Sequence, residues 1–276
     1  MSSGADRLEL RHAVERHYDS LAFLYRLFWG EHVHHGLWPV RGGSPKDAQV
    51  RLVSHLAQRA GIAGGERVLD VGCGYGAAAR WLAANHECCV IGITISRAQA
   101  RQARRRNRRD GRDDAVAIIR GDAAALPVCE RRFDIVWVIE CLEHLAEKGE
   151  FIRRATRTLV PGGRLALCSW QDGGRGDGLV EAVCDAFLCP SLATAAEYRA
   201  WCETAGLEIR CQEDLTARVL DTWKVLVRRV SRPWARPLRW LVGHDVRRFV
   251  DGFPIIARAY ETGAMTYGLL VARQPA

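Results

Sequence analysis

The sequence predicts an α/β fold with a seven-stranded, mostly parallel sheet and a helical cap. Short apolar segments alternate with helical segments between residues 66 and 170, which is typical of βαβ units and a parallel sheet. A glycine-rich turn follows the first apolar segment, where a strand would meet a helix beside a ligand. The 276 residues, 48% of them hydrophobic, suffice for one core plus a cap, so we predict a single domain over 1–276.

Each predicted strand is a short apolar run bounded by glycine, proline or polar residues. In chain order the seven runs are ERVLDVG, CCVIGITI, AVAIIRGD, RFDIVWVIE, GGRLALCSW, LEIRCQEDLT and MTYGLLVARQP. Three helical segments lie among the first five: AAARWLAANH, SRAQARQARRRNRR and EFIRRATRTLV. Ser96 is the predicted N-cap of the second helix, because a serine hydroxyl accepts from a free amide of the first turn.

Two further regions are predicted to form the cap. The N-terminal part, about residues 1–56, has a helical pattern broken by a glycine- and proline-containing loop from Trp29 to Pro45. The segment from about 217 to 264, between the last two strands, is helical and rich in tryptophan and arginine. Ligands of open α/β sheets bind beyond the carboxyl ends of the strands, so we expect both regions to cover that site. The apolar cap residues are Trp223, Trp234, Trp240, Phe249 and Phe253.

The formal net charge of +8 does not indicate a nucleic-acid partner. Only three of the forty basic residues are lysine, and the densest run, Arg101 to Asp114, has no interleaved aromatic residues on which bases would stack. Such a run is typical of a solvated helix face. We therefore expect no nucleic-acid partner, and the oligomeric state stays open.

The cysteines and the N-terminus bear on metal binding and localisation. The ten cysteines occur singly or as Cys88-Cys89, without any C-x-x-C spacing, which predicts reduced, buried thiols and no metal site. No run of about 18 apolar residues is present, and the N-terminus lacks an apolar signal segment. We therefore expect a cytoplasmic protein without a membrane span.

The turn after the first strand, Asp70-Val71-Gly72-Cys73-Gly74-Tyr75-Gly76, indicates the ligand class. A dinucleotide fingerprint places its last glycine three positions after the second, whereas here the interval is two. A carboxylate at Asp70 disfavours a phosphate and favours an ammonium group, directly or through water. The turn therefore predicts a nucleoside that carries an amino acid.

This turn resembles motif I of the class I S-adenosylmethionine-dependent methyltransferases, and the later motifs follow in the same order. The resemblance implies a Rossmann-like methyltransferase sheet, S-adenosyl-L-methionine as cofactor and S-adenosyl-L-homocysteine as product. "GITISRAQ" resembles the branch that holds tocopherol methyltransferases and cyclopropane fatty acid synthases. "WGEHVHHG", "VIECLEHL", "PGGRLALCSW" and "YGLLVARQP" resemble tocopherol-methyltransferase-like enzymes, so the likeness extends from Tyr18 onward.

The resemblance also implies the cofactor-binding residues. Thr94 and Gln99 would lie near the ribose. In "GDAAALP", Asp122 would accept from the exocyclic amine of adenine, and the Ala123 amide would donate to a ring nitrogen. The remaining implied contacts are Gly72, Gly74, Gly76, Ile95, Gly121, Glu140, His35 and Gly36, with the last two at the methionine end.

Five residues are candidates for the base: Glu140, His144, His34, His35 and Tyr18. Glu140 follows an apolar strand, where burial would raise its pKa, and the matching glutamate is the base in similar prenyl diphosphate C-methyltransferases. The alternative is that Glu140 is not the base and only orders the cofactor or the start of a helix. His144, at i+4, would face the same ligand or close a polar network beneath it. Tyr18 would close over the acceptor or belong to the core. We carry Glu140, His144 and Tyr18 forward as catalytic candidates.

The acceptor is predicted only by class. Some related O-methyltransferases have an aspartate base after strand five, where this chain has Cys168-Ser169-Trp170, which favours an aromatic, isoprenoid or amine acceptor beside Trp170. The N-P-P-[YF] tetrapeptide of DNA-adenine and glutamine methyltransferases is absent. We predict methyl transfer to a small, largely apolar acceptor in specialised metabolism. Two alternatives stay open: a cyclopropane-synthase-like lipid enzyme, and a non-catalytic or pericyclase-like protein that binds S-adenosylmethionine.

Overall fold

The computed structural model describes residues 4–22, 25–26, 29–39, 42–231 and 243–276. Ten α-helices occur in these ranges: α1 Gly4–Ser20, α2 Pro45–Ala60, α3 Ala77–His86, α4 Arg97–Arg109, α5 Lys148–Thr158, α6 Leu179–Phe187, α7 Ala195–Thr204, α8 Thr216–Val219, α9 Asp221–Val230 and α10 His244–Thr262. One turn of 3₁₀ helix spans Leu142–His144.

Seven strands form one sheet: β1 Arg67–Val71, β2 Cys89–Thr94, β3 Val116–Arg120, β4 Phe133–Ile139, β5 Leu159–Asp172, β6 Glu208–Asp214 and β7 Met265–Arg273. Their order is β3-β2-β1-β4-β5-β7-β6, and only β7 runs antiparallel to its neighbours. The predicted seven-stranded, mostly parallel sheet is therefore confirmed. The order reverses direction between β1 and β4, so the carboxyl ends of those strands, at Val71 and Ile139, flank the switch point where such sheets bind ligands.

Most predicted elements coincide with observed ones. Helix α3 matches its predicted segment, and the Ser96 side chain caps α4 by accepting from the Gln99 amide at 3.1 Å. The fifth strand begins at Leu159, three residues before the predicted segment GGRLALCSW, so the sequence Pro161-Gly162-Gly163, which is typical of a turn, lies within β5. The strand register shifts there, between the Phe133–Leu159 and Ile135–Arg164 pairs, so the turn is an irregularity in the strand.

The predicted cap is partly described. Helices α8 to α10 follow β6, and Trp223, Phe249 and Phe253 are fully buried among them. Trp234 and Trp240 lie outside the described residues. The division of the chain into domains stays a prediction.

All ten cysteines are free thiols, and eight of them are buried or half-buried, as predicted. Cys89 and Cys129 are exposed, contrary to the expectation of burial, because each lies at or near the start of an element rather than in its apolar centre. No described helix is long and apolar enough to cross a bilayer.

Gly36 allows the N-terminal loop to lie directly against α2. A Cβ at this position would lie 2.5 Å from the Ala48 Cβ, and the next residue, Leu37, donates its amide to the Ala48 carbonyl at 2.8 Å. The Gly36 amide itself donates to Thr222 Oγ1 at 3.0 Å. This glycine is therefore required for packing between the loop, α2 and α9.

We predict that Gly36→Ala destabilises the protein, because the added methyl overpacks a loop held on both sides. The expected loss in the free energy of unfolding is about 1–3 kcal/mol, measured by urea denaturation. Asp113→Ala, at an exposed position in the turn before β3, is the control, and its effect should stay within about 0.5 kcal/mol. Equal stability of the two variants would contradict this packing role.

Candidate active site

A cavity of about 370 Å³ opens at the carboxyl ends of the parallel strands. Its wall contains most of the residues singled out in the sequence: Tyr18, Gly72, Gly74, Thr94, Ile95, Gln99, Gly121, Asp122, Ala123, Glu140 and His144. These residues come from α1 and from the segments that follow β1 to β4. Asp70, Gly76, His35 and Gly36 do not line it. Asp70 and His35 are buried, and Gly36 lies against α2. Individual cofactor contacts stay predictions.

The turn after β1 brings bare backbone to the cavity. Gly72 and Gly74 have positive φ values, 78° and 53°, which favour glycine. A Cβ on Gly72 would lie 2.5 Å from the Cys141 Cβ, whereas one on Gly74 would meet no atom within 4 Å and would project into open space. The turn is thus packed against the end of β4 on one side and open to a ligand on the other.

Asp70 is a buried carboxylate with an unsatisfied oxygen. It is 3% exposed, and its Oδ2 has no hydrogen-bond partner among the described residues. Burial raises its pKa to about 7. A buried carboxylate without a donor costs free energy unless a ligand supplies one. An ammonium group at the turn would supply both a donor and the compensating charge.

Two hydrogen-bonded pairs of residues lie near the ends of β2 and β3. Thr94 Oγ1 donates to Gln99 Oε1 at 2.9 Å, and both side chains are buried. Asp122 Oδ1 accepts from the Ala124 amide at 2.9 Å, while its Oδ2 lies 3.5 Å from Arg11 Nε. Each pair stays fixed without a ligand, so the wall is pre-organised where the sequence predicts ribose and adenine contacts.

Helix α1 covers the cavity with one face. Leu10, Arg11, Val14 and Tyr18 line the wall at a spacing of three to four residues, which places them on one side of the helix. The end of the helix is held by Asp19, whose Oδ1 accepts from Ser96 Oγ at 2.5 Å and from the Ala98 amide at 3.1 Å. The described part of α1 thus lines the cavity, while the predicted cap over the site stays a prediction.

Glu140 connects four separate parts of the structure. Its Oε1 accepts from the His35 amide and from the Tyr267 hydroxyl, each at 2.7 Å. Its Oε2 accepts from Trp170 Nε1 and His35 Nδ1, each at 3.0 Å. Since a carboxylate has about four acceptor positions, this one is saturated. Its backbone has φ +50°, a left-handed conformation that costs a non-glycine residue about 1–3 kcal/mol and persists only where its surroundings impose it.

The expectation that burial raises the pKa of Glu140 is wrong. Burial does oppose ionisation, but His35, through its ring and its amide, and His34 outweigh that effect and lower the pKa to about 2. Trp223 Nε1 donates to His35 Nε2 at 2.5 Å, and because an indole N–H only donates, Nε2 carries the lone pair and Nδ1 the hydrogen that faces Glu140. Glu140 is therefore a fixed anion, and its role as a base stays a prediction that these contacts do not favour.

His144 presents an accessible nitrogen with a defined protonation state. Its Nδ1 lies 3.2 Å from the Leu188 carbonyl, which only accepts, so Nδ1 carries the hydrogen and Nε2 the lone pair. Nε2 then accepts from the Tyr18 hydroxyl at 2.8 Å. Burial lowers the pKa of His144 to about 4, so the ring is neutral at pH 7. The two candidates His144 and Tyr18 are in direct contact.

A second, smaller chamber adjoins the cavity. It measures about 30 Å³ and shares Tyr18, Val33, Glu140 and His144 with the larger cavity. The rest of its wall is aromatic except for one acid: Tyr25, Trp29, Trp170, Phe187, Trp223, Phe249 and Glu143. His144 thus stands at the junction of a polar cavity and an aromatic chamber.

Sequence patterns did not identify four residues that contribute to the site. Arg11 reaches Asp122 from α1, Leu188 fixes the His144 tautomer through its backbone, and Glu143 and Lys148 are buried beneath the site. A backbone carbonyl leaves no signal in a sequence, and a charged residue in an amphipathic segment is normally exposed. Among the described residues, no group of three or more His, Cys, Asp or Glu could hold a metal ion.

Comparison with known proteins gives the family. A methyltransferase domain model matches residues 69–167. The 27-O-demethylrifamycin SV methyltransferase of Amycolatopsis mediterranei (strain S699) is 32% identical over 277 residues, covering 95% of this chain and 97% of that protein. The chain belongs to the class I S-adenosylmethionine-dependent methyltransferases. The chloroplastic tocopherol O-methyltransferase of Arabidopsis thaliana is 25% identical, covering 96% of this chain and 83% of that protein, in line with the branch predicted from the sequence.

Among solved structures, the crystal structure of the [4+2]-cyclase SpnF has a TM-score of 0.79 and 27% identity, covering 96% of this chain and 97% of that chain.

As a member of this methyltransferase family, the present chain uses S-adenosylmethionine, and the cavity described above fits that molecule. No described residue donates to Asp70 Oδ2, Gly74 leaves the wall open, and the pairs Thr94–Gln99 and Asp122–Ala124 present fixed polar groups.

We predict that Asp70→Asn weakens S-adenosylhomocysteine binding at least tenfold, measured by calorimetry, yet stabilises the ligand-free methyltransferase. The pKa of Asp70 is raised in the folded state, so the folded protein retains a proton that the unfolded chain loses. The contribution of Asp70 therefore becomes less favourable as pH rises from about 4 to about 7 and stays constant above.

Urea unfolding at pH 5 and pH 8 measures this effect. The advantage of Asp70→Asn over the parent in the free energy of unfolding should be larger at pH 8 than at pH 5. Asp114→Asn, an exposed aspartate, is the control and should show neither effect. A pH-independent difference between Asp70→Asn and the parent would refute the assignment of a buried, ligand-directed carboxylate.

Proposed function

We propose that this methyltransferase methylates a hydroxyl group of a small, apolar, ring-containing acceptor, with His144 as the base. The proposal rests on the fixed tautomer of His144. Its Nδ1 is held by the Leu188 carbonyl, and its Nε2 lone pair points to the junction of the cavity and the aromatic chamber. An acceptor hydroxyl at Nε2 would replace the Tyr18 hydroxyl, which now occupies that position.

We assign the large cavity to the cofactor. Asp70 would meet its ammonium group, Thr94 and Gln99 the ribose hydroxyls, and Asp122 with Ala123 the adenine. S-adenosylmethionine supplies an electrophilic methyl group on a positively charged sulfur. The protein must hold the acceptor oxygen about 3 Å from that carbon, in line with the departing sulfur. The junction between the two spaces is the position from which this geometry is reachable.

The proton of the acceptor hydroxyl passes to His144 Nε2 as the new carbon–oxygen bond forms. Burial lowers the pKa of His144, which makes the protonated ring unfavourable in isolation. Two features offset this cost. The charge of Glu140, which lines both spaces, favours the imidazolium, and the proton arrives as the sulfur loses its positive charge. The net charge of the site therefore stays constant during the step.

At about 30 Å³ the aromatic chamber holds only about two waters, so an acceptor ring enters it when the Tyr18 side chain, which lines both spaces, moves aside. The walls of the widened chamber suit an apolar acceptor. Tyr25, Trp29, Phe187 and Phe249 offer ring faces and edges, with centroid separations of 5.0 to 5.8 Å among neighbouring pairs. Two relatives support hydroxyl chemistry by their names: one is a methyltransferase of 27-O-demethylrifamycin SV, and the other is a tocopherol O-methyltransferase.

A second candidate function is cyclisation without methyl transfer. It is supported by the similarity to the [4+2]-cyclase SpnF over nearly the whole length of both chains. A cyclase would need the aromatic chamber but not a proton acceptor at His144. Release of S-adenosylhomocysteine from S-adenosylmethionine in the presence of an acceptor separates the two functions, and turnover of unsaturated phospholipid would favour the lipid alternative.

We predict that His144→Ala lowers kcat about 10²–10⁴-fold, because it removes the base but no predicted cofactor contact. The assay follows S-adenosylhomocysteine release with a panel of phenols, hydroxyquinones and cyclic alcohols. Calorimetry should show unchanged cofactor affinity.

Tyr18→Phe is the matched variant. The Tyr18 hydroxyl must leave His144 Nε2 before an acceptor binds. If Tyr18 only occupies that position, kcat of Tyr18→Phe should stay within about threefold of the parent value. An essential acid–base group would instead give a loss of about 10²-fold or more. Full activity in His144→Ala would remove the base from this proposal. Loss of activity in both variants with cofactor binding intact would instead identify Tyr18 as a proton relay.

A further inference from the structure

Glu143 is a buried acid in the wall of the aromatic chamber. It lies in the 3₁₀ turn after β4, directly before His144, and is 1% exposed. Its Oε1 accepts from the Trp170 amide at 2.6 Å, while its Oε2 has no hydrogen-bond partner among the described residues. One oxygen of this carboxyl group is therefore held by a hydrogen bond, and the other oxygen is not.

Lys148, whose charge acts on Glu143, does not form an ion pair with it. Lys148 Nζ donates to the Leu145 carbonyl and the Ser191 carbonyl, each at 2.8 Å, and to Ser191 Oγ at 3.4 Å. These bonds use all three of its hydrogens. Glu143 thus has no ion-pair partner within the described ranges, and a buried unpaired carboxylate is strongly disfavoured.

Glu143 is accordingly a neutral acid at pH 7. Burial, followed by the charge of Glu140, raises its pKa to about 8. Because Oε1 accepts from an amide, the proton belongs on Oε2. The group without a partner is therefore an O–H donor beside aromatic rings.

Several other polar groups of the chamber are already engaged. Glu140 has four donors, Trp170 Nε1 is bonded to it, Trp223 Nε1 is bonded to His35, and Tyr18 is bonded to His144. Once an acceptor hydroxyl replaces Tyr18, His144 offers a lone pair, and Glu143 offers a buried donor on Oε2 that has no partner among the described residues. A matching ligand carries one hydroxyl and one hydrogen-bond acceptor on an apolar frame.

We propose that Glu143 donates a hydrogen bond from Oε2 to a carbonyl oxygen of the acceptor, so that the chamber selects hydroxylated aromatic ketones or quinones. This inference rests on the proposed function, because it places the acceptor in the chamber. Glu143 is then a specificity-determining residue, and it takes no part in the transfer of the methyl group.

The test compares two probes that differ only in the carbonyl. These are 3- and 4-(hydroxymethyl)benzophenone and the corresponding benzyl-substituted benzyl alcohols, which carry CH₂ in place of C=O. Their dissociation constants are measured by calorimetry with saturating S-adenosylhomocysteine, for the parent, Glu143→Gln, Glu143→Met and Glu143→Asp. An amide keeps a donor near Oε2, a thioether has none, and the shorter acid does not reach.

In the parent and in Glu143→Gln, at least one ketone should bind tenfold or more tightly than its CH₂ partner. In Glu143→Met and Glu143→Asp the two probes of each pair should bind equally. The ratio within one variant is insensitive to a general loss of stability, and the exposed Glu181→Leu on α6 should keep the parental ratio.

No carbonyl preference in the parent, or binding of neither probe, would overturn the inference, as would a preference that survives in Glu143→Met. The measurement needs no turnover. A clear carbonyl preference without methyl transfer would therefore leave this inference standing while the proposed hydroxyl methylation fails.

Discussion

The carboxylate of Glu140, with its four hydrogen-bond donors, holds the site together. It fixes the N-terminal loop through His35, the end of β5 through Trp170 and β7 through Tyr267, all from a strained backbone position after β4. These elements are distant in sequence and meet only at this group. A saturated anion of this kind cannot readily exchange its partners, because each lost donor would leave buried charge unsatisfied. The shape of the junction between cavity and chamber follows from it.

Three buried acids near the switch point differ through their surroundings alone. Asp70 Oδ2 has no donor in the part of the chain that the structure describes, and the pKa of Asp70 is raised. Glu140 has four donors, and its pKa is lowered; Glu143 has one donor and a charged neighbour, and its pKa is raised. The same functional group thus provides an incomplete ion pair, a permanent negative charge and a neutral hydrogen-bond donor. Only the middle one resembles an ordinary surface carboxylate at pH 7. The other two are expensive for the folded state, and a ligand offers each of them its missing partner.

Sequence patterns predict the frame of this protein better than its chemistry. Strand and helix periodicity locates β1 to β7, and the Gly72–Gly74 turn identifies the ligand class, because both depend on local rules of backbone and burial. The cavity wall also follows, since the strand ends meet once the sheet order is known. The roles of Glu140 and Glu143 do not follow. Whether an acid is saturated or orphaned depends on Trp170, Tyr267 and the loop around His35, which lie far away in the chain. The carbonyl of Leu188 that sets the His144 tautomer is not visible in any side-chain pattern.

The hydrogen bond between Tyr18 and His144 affects the enzyme before an acceptor binds. A sulfonium is reactive toward any nucleophile that a base can activate, and water is the most abundant one. While the phenol occupies the imidazole lone pair, a stray water finds no partner to deprotonate it. Burial raises the pKa of Tyr18 well above its usual value and so keeps the proton on the phenol. The Tyr18 hydroxyl is therefore itself a poor nucleophile. Under the proposed chemistry, wasteful hydrolysis of the methyl donor is suppressed until a molecule arrives that fits well enough to displace an aromatic side chain.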